Sequence, residues 1–298
     1  NKPLTIVTEY IPNGSLFEFM QSESKRKRLT NTRRTLIAMG IAHAMAQLHK
    51  LGIIHRDIKS LNIFLDGDLL PRLGDFGIAR YVTDDEPMTM RLGTPHWMAP
   101  ESLKDANSYG PEVDVYSFAM LLYELLTNSI PWQGMDPMTV ITNVVINKER
   151  PEIPEDTAEP LRDLIERCWA QNPKKRPTFS EIYKLFATGK VEFEDTEVDA
   201  IVWLTGELEK YEKEKKNKLV KDTKKKTKQQ DKKSKKKKYD SDSDNSRRSS
   251  KSSAHGSSDD DFQSPKKKKT VPWKDRQVTC VRRTCVLQIQ RKSEQCDR

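Results

Sequence analysis

The sequence has little of what several protein classes require. Its four cysteines are Cys168, inside an apolar pattern, and Cys280, Cys285 and Cys296 near the end. That spacing builds neither a disulfide scaffold nor a paired zinc knuckle, and it fits a reducing compartment. Hydrophobic residues make up only 35% and aromatic residues 7% of the chain. No stretch approaches the roughly 18 consecutive apolar residues of a membrane-spanning helix. The richest one, Phe118–Leu126, is short and interrupted by Glu124. No initiator Met and no signal-peptide core precede Thr8, so the start reads as truncated. His43, His49 and His96 share no ligand spacing with a cysteine or carboxylate and are expected as core or surface residues. No internal repeat is present.

Charge is abundant and uneven. The chain carries a net +9 over 298 residues; residues 1–200 hold 23 Lys and Arg against 29 Asp and Glu, a net of −6, which leaves +15 on 201–298. About 200 residues suffice for one sizeable core, whereas the last hundred have too few apolar residues to offset the entropy of ordering them. The expected organisation is one acidic globular domain over 1–200 and a lysine- and serine-rich disordered tail over 201–298. In the tail, Lys235–Lys238 and Lys266–Lys269 are short basic clusters of the kind that contact a polyanion or an import receptor, although solvated disorder is the simpler expectation. No specific nucleic-acid motif accompanies them. A cytoplasmic location, with nuclear entry open, follows from these features.

Within the globular part, Leu4–Tyr10 alternates like a short strand, and Pro12-Asn13-Gly14 stops it with turn residues. After the basic run Lys25–Arg28, Ile37, Ile41, Met45 and Leu48 recur at helical spacing, with Gly52 as the stop, and predict an amphipathic helix packed on a core. Asn62–Leu65 and Leu69–Leu73 flank Asp66-Gly67-Asp68 as the arms of a hairpin. From Asp114, Val115, Phe118, Leu122 and Leu125 share one face while Met120, Leu121 and Leu126 occupy another, so this helix should be central and buried on most sides. Further helices are predicted over Met138–Val145 and Leu161–Trp169. A last one carries Phe179, Ile182, Tyr183 and Phe186 behind the capping-box pair Thr178 and Glu181. The fold class is α+β, mainly α.

One segment carries chemistry: Ile54-His-Arg-Asp-Ile-Lys-Ser-Leu-Asn62, followed thirteen residues later by Asp75-Phe-Gly77. Together these resemble the protein kinases, whose parts serve as a general template for phosphoryl transfer. The resemblance extends over roughly residues 4–190 and implies a kinase C-terminal lobe. In that likeness Asp57 faces the acceptor hydroxyl, Lys59 places its ammonium on the γ-phosphate of ATP, and Asn62 and Asp75 hold Mg²⁺. Thr8 would line the back of the adenine pocket. The Glu9 carbonyl and Ile11 amide would bond the adenine edge, and Phe64 would form part of the floor, where a smaller aliphatic side chain is usual. Asp114 would anchor the catalytic-loop backbone. Gly93-Thr-Pro-His-Trp-Met-Ala-Pro-Glu101 resembles the end of an activation segment, with Glu101 paired to Arg176. Arg56 would await a phosphate on Thr83 or Thr89.

Lys59 and Gly93-Thr94 look like serine/threonine kinases acting on a protein substrate, with tyrosine or dual specificity as the alternative. Trp97-Met98 and the Arg167–Pro177 segment look like the tyrosine-kinase-like branch of those enzymes. A Gly-rich loop, a strand lysine and its helix glutamate are not in the sequence. The chain is therefore expected to be a large lobe without its small lobe. The competing reading is an inactive kinase-like scaffold, which would have no use for Asp57, Lys59, Asn62 and Asp75 together.

Overall fold

Ser15 and Thr30 open the first long stretch of structure, each accepting a backbone N–H three residues on. The structure is a computed structural model that describes residues 9–74, 80–81, 95–104, 110–217, 276–280 and 287–291. At 80–81, 276–280 and 287–291 the description is of the backbone alone. The chain divides into two units, Asn1–Glu207 with Val278–Gln290, and Leu208–Gln277 with Arg291–Arg298.

In the first unit, helix α1 (Leu16–Gln21) starts at a complete capping box, because Glu18 returns a bond to the Ser15 N–H. The short α2 (Glu23–Arg26) carries the basic run on its exposed surface, and α3 (Asn31–Lys50) follows. Here the structure corrects the sequence reading. Helix α3 is not amphipathic in its middle, since all residues from Thr35 to Ala46 are buried. The large apolar stripe is flanked by Ala38, Ala42 and Ala46 on one side and by Gly40 and Ala44 on the other, whose small side chains admit close neighbours. A Cβ on Gly40 would lie 2.7 Å from the Pro71 ring. On another side, Thr35 Oγ1 accepts the Phe193 N–H at 2.9 Å and lies 2.8 Å from Thr196 Oγ1.

Strand β1 (Ile53–Ile54) leads into the loop at His55, and β2 (Ile63–Leu65) and β3 (Pro71–Leu73) form the predicted hairpin. Its register pairs Ile63 with Leu73, Phe64 with Arg72 and Leu65 with Pro71. Asp66 shapes the turn: its Oδ1 accepts the N–H groups of Asp68 and Leu70, and its Oδ2 meets Arg72 Nη2 at 2.9 Å. Strand β4 (Arg80–Tyr81) pairs antiparallel with β1.

Helix α4 (Pro100–Lys104) precedes α5 (Glu112–Thr127), which is buried from Val113 to Leu122 and ends on Asn128 in the left-handed region at φ 55°. Helix α6 (Pro137–Thr142) runs into a π-turn over Asn143–Asn147, and α7 (Glu159–Cys168) buries the predicted stripe Leu161, Leu164, Ile165 and Cys168. Helix α8 (Phe179–Ala187) has the expected capping box and packs against α3. Arg176 meets Glu101 in a forked pair at 2.6 and 2.9 Å, as the resemblance implied.

A helix runs over residues 198–217, so the domain boundary expected near 200 falls inside a helix. Ile201 and Leu204, one turn apart, give it a buried side that average composition hides. In the second unit its Glu and Lys residues stand at i,i+4 spacing, with Glu209 and Lys213 3.9 Å apart. Such exposed pairs are worth ~0.2–0.5 kcal/mol. Strands β5 (Arg276–Cys280) and β6 (Leu287–Arg291) form a two-stranded sheet within the sequence expected as disordered tail.

Candidate active site

The site is set by a carboxylate that does no chemistry. Asp114 lies in the first turn of α5 and is fully buried. Its Oδ2 accepts the His55 N–H at 2.9 Å and a bond from His49 Nε2 at 2.8 Å, and its Oδ1 accepts the Arg56 N–H at 2.7 Å. Three donors on a buried carboxylate leave it well satisfied. They also hold Arg56 at φ 74°, a left-handed conformation that a non-glycine residue keeps only when its surroundings impose it.

His55 extends the anchoring to the next segment. Its Nδ1 accepts the Asp57 N–H at 3.3 Å, so Nε2 carries the hydrogen and donates it to the Gly74 carbonyl at 3.1 Å. The neutral ring thus ties the backbone of Asp57 to the residue immediately before Asp75. The Gly74 N–H in turn donates to the Asn62 carbonyl at 2.8 Å.

Asp57, Lys59 and Asn62 converge on one point. Lys59 Nζ lies 2.9 Å from Asp57 Oδ1, and with the two side chains 13% and 16% exposed the pair is largely shielded from water. Asn62 Nδ2 donates to Asp57 Oδ2 at 2.7 Å and to the Asp57 carbonyl at 2.8 Å. With both amide hydrogens directed at Asp57, the Asn62 oxygen is the atom left for a cation. An amide oxygen beside a carboxylate is a hard donor set that suits Mg²⁺. Among the described residues no cluster of three or more His, Cys, Asp or Glu could hold a metal. Asp75, the second expected ligand, lies outside the described residues, as do Thr8, Phe76, Thr83, Thr89, Gly93 and Thr94.

On the side expected to hold adenine, Glu9 is exposed and Ile11 half-buried. The turn behind them is fastened to β2: the Asn13 N–H donates to the Leu65 carbonyl at 3.3 Å, and the Leu65 N–H to the Gly14 carbonyl at 3.0 Å. This fastening brings the Glu9–Ile11 segment to the strand that carries Phe64. The Phe64 ring occupies the space above Gly74, where a Cβ would come within 2.6 Å of Cε2. The departure at Phe64 is therefore matched by the absence of a side chain at Gly74.

Sequence reasoning missed Glu124, seeing only a break in an apolar run. It is fully buried on α5 and bonds Ser60 and the Trp97 indole N–H, the latter at 2.8 Å. Burial pushes its carboxyl up to about 7, against the relief given by those bonds and by Lys59. A carboxylate set inside the apolar run of a helix buried on most sides had to find partners, and that was the signal available. The pairing of Glu101 and Arg176 continues to Tyr116, whose ring has the Arg150 and Arg176 guanidinium groups 5.1 and 5.2 Å from its centroid. Burial raises this phenol to about 12, and it likewise pushes the Cys168 thiol up.

A catalytic loop anchored on a buried aspartate, with Asp, Lys and Asn side chains converging beside a hairpin, is the arrangement of a phosphoryl-transfer lobe. The family model for protein tyrosine and serine/threonine kinases matches residues 1–186, and the chain belongs to that family. It is 38% identical over 183 residues to serine/threonine-protein kinase STY17 of Arabidopsis thaliana, covering 61% of this chain and 31% of that protein. To serine/threonine/tyrosine-protein kinase HT1 of the same plant it is 39% identical over 177 residues, 59% of this chain and 45% of that protein. The RGS domain-containing serine/threonine-protein kinase A of Dictyostelium discoideum is 40% identical over 176 residues, 59% of this chain and 15% of that protein. The chain thus spans less than half the length of each of these relatives.

Proposed function

We propose that the chain is the catalytic-loop lobe of a protein serine/threonine kinase that moves the γ-phosphoryl group of ATP to a Ser or Thr hydroxyl of a protein. The observation that carries this reading is the convergence of Asp57, Lys59 and Asn62. When bound, ATP with Mg²⁺ supplies the phosphoryl group and the metal charge that screens it. Asp57 accepts a hydrogen bond from the acceptor hydroxyl, orients its oxygen and takes its proton as the new P–O bond forms and the bond to the ADP oxygen breaks. Lys59 balances the charge on the transferring group, and Asn62 holds both Asp57 and, through its amide oxygen, the metal.

Lys59 also supports hydroxyl acceptors of the Ser/Thr type, the class named for STY17 and for the RGS domain-containing kinase A, while HT1 is named for tyrosine as well. Asp75 is the second metal ligand in this reading, and Thr8, Glu9, Ile11 and Phe64 the adenine contacts. The reaction further needs a Gly-rich loop, a strand lysine and its helix glutamate, which residues 1–298 do not contain. The test is phosphotransfer by the full-length protein with a generic Ser/Thr substrate, followed by phosphoamino-acid analysis. Phosphoserine and phosphothreonine are expected. Phosphotyrosine alone would overturn the acceptor class, and no transfer would favour a scaffold.

A further inference from the structure

Glu124 takes no part in the chemistry above, yet it is bonded to the residue that follows Lys59. The N–H groups of Ser60 and of the Trp97 indole both donate to its Oε2, at 3.1 and 2.8 Å, while the Ser60 hydroxyl donates to its Oε1. Ser60 and Glu124 are fully buried and Trp97 is 5% exposed, so water does not compete for these bonds. One side chain therefore joins the catalytic loop, α5 and the turn over Pro95–Trp97.

We propose that Glu124 is a positioning residue for the phosphotransfer reaction, which sets the Asp57–Lys59 pair through Ser60 and works as a hydrogen-bond acceptor whose charge is dispensable. The inference rests on the kinase reading. The pattern of donors is what makes the charge dispensable. Both N–H donors use one oxygen, so a glutamine with its carbonyl at that place keeps them. Its amide nitrogen, at the place of Oε1, then donates to Ser60 Oγ, because a hydroxyl can turn from donor to acceptor. A protonated glutamic acid does the same with its O–H. Only removal of the polar atoms breaks the junction, leaving the buried Ser60 and Trp97 N–H groups unpaired.

The groups around the carboxyl agree with this. Lys59 is the charged neighbour from the catalytic loop, and the turn presents the Trp97 indole while His96 Nε2 faces the Met135 carbonyl. Helix α7 and the turn over Pro173–Lys175 also pack on α5. The nearby cations Arg150 and Arg176 face Tyr116, two turns away from Glu124 on α5. Because burial brings the carboxyl to about 7, it exchanges its proton near neutrality, and a junction that tolerates both forms keeps the loop in place throughout.

The experiment compares kcat, the KM for ATP and the pH profile of full-length wild type, Glu124→Gln, Glu124→Met and Ser60→Ala, with melting curves as a folding control. Glu124→Gln is expected to keep kcat within about threefold, with a pH profile that superimposes on the wild type. Glu124→Met, similar in size, is expected to lose ~10- to 10²-fold in kcat with an unchanged KM for ATP, as a small misplacement of reacting groups costs. Glutamine falling as far as methionine would overturn the dispensable charge, and methionine retaining kcat would overturn the positioning role. Should Glu124→Met melt below the assay temperature, Ser60→Ala decides: a lowered kcat at unchanged KM for ATP upholds the role, and wild-type kcat overturns it. A wild type without phosphotransfer overturns the kinase reading itself, which the other arms leave distinguishable.

Discussion

Gly74 and Phe64 show how one residue choice depends on another. A Cβ at position 74 would stand 2.6 Å from Phe64 Cε2 and 2.9 Å from Cδ2, closer than carbon atoms approach. The Phe64 ring must swing away in Gly74→Ala, at a cost of ~1–3 kcal/mol for an overfilled site. Because the ring is the proposed adenine floor, nucleotide affinity should fall with stability. Phe64→Leu in the same chain frees the space, and the double variant should recover most of the loss. A double-mutant cycle by urea unfolding measures this, and additive losses would show that the two positions do not compete for one space.

At the same scale, Asp57, Lys59 and Asn62 were legible in the sequence because each has a fixed offset within one loop. Glu124 and Gly74 were not. Their roles are defined by partners 64 and 10 residues away, Ser60 and Phe64, and no local spacing records such distances.

Helix α5 organises the site, since it carries Asp114 at one end and Glu124 near the other, both fully buried. Each accepts three hydrogen bonds. At Glu124 desolvation outweighs those bonds and raises the carboxyl to about 7 from an ordinary 4.5. A carboxyl raised on folding binds its proton more tightly in the folded state than in the unfolded chain. Its contribution to stability is therefore full below about pH 4.5 and is lost as pH rises through about 7. Relative to Glu124→Gln, which has no such proton, the wild type should lose stability between pH 5 and pH 8 in urea unfolding. Parallel curves for the two proteins would show that Glu124 does not titrate in this range.

Element types followed from periodicity, and the helices α5, α7 and α8 and the β2–β3 hairpin stand where Asp114, Leu161, Thr178 and Asp66 announce them. The surroundings of α3 did not follow. Alanines and a glycine look neutral in a sequence, and only the packing of Pro71 on one side of the helix and of Phe193 on another reveals it as core all round.

At the scale of the whole molecule, the kinase reading makes the described site a lower surface. Residues 1–298 contain none of the loop amides, strand lysine or helix glutamate that would enclose the phosphates from above. Mg²⁺ held by Asn62 and Asp75 would face water, where a high dielectric weakens its effect. Residues 1–298 alone should therefore show no detectable phosphotransfer and only weak binding of Mg²⁺-ATP by calorimetric titration, while circular dichroism reports a folded helical domain. Micromolar binding together with turnover would place the nucleotide site elsewhere. The tail was the least legible part at this scale, because its averaged charge concealed Ile201 and Leu204 on a helix that starts at 198.

The most direct test of the catalytic site is the rate of phosphotransfer by the full-length protein carrying Asp57→Asn, beside the wild type. The substitution keeps side-chain volume and removes the proton acceptor, a loss worth ~10²- to 10⁴-fold in rate. A folded Asp57→Asn protein with turnover reduced by that factor is the predicted result, and turnover at the wild-type rate would contradict the assignment of Asp57.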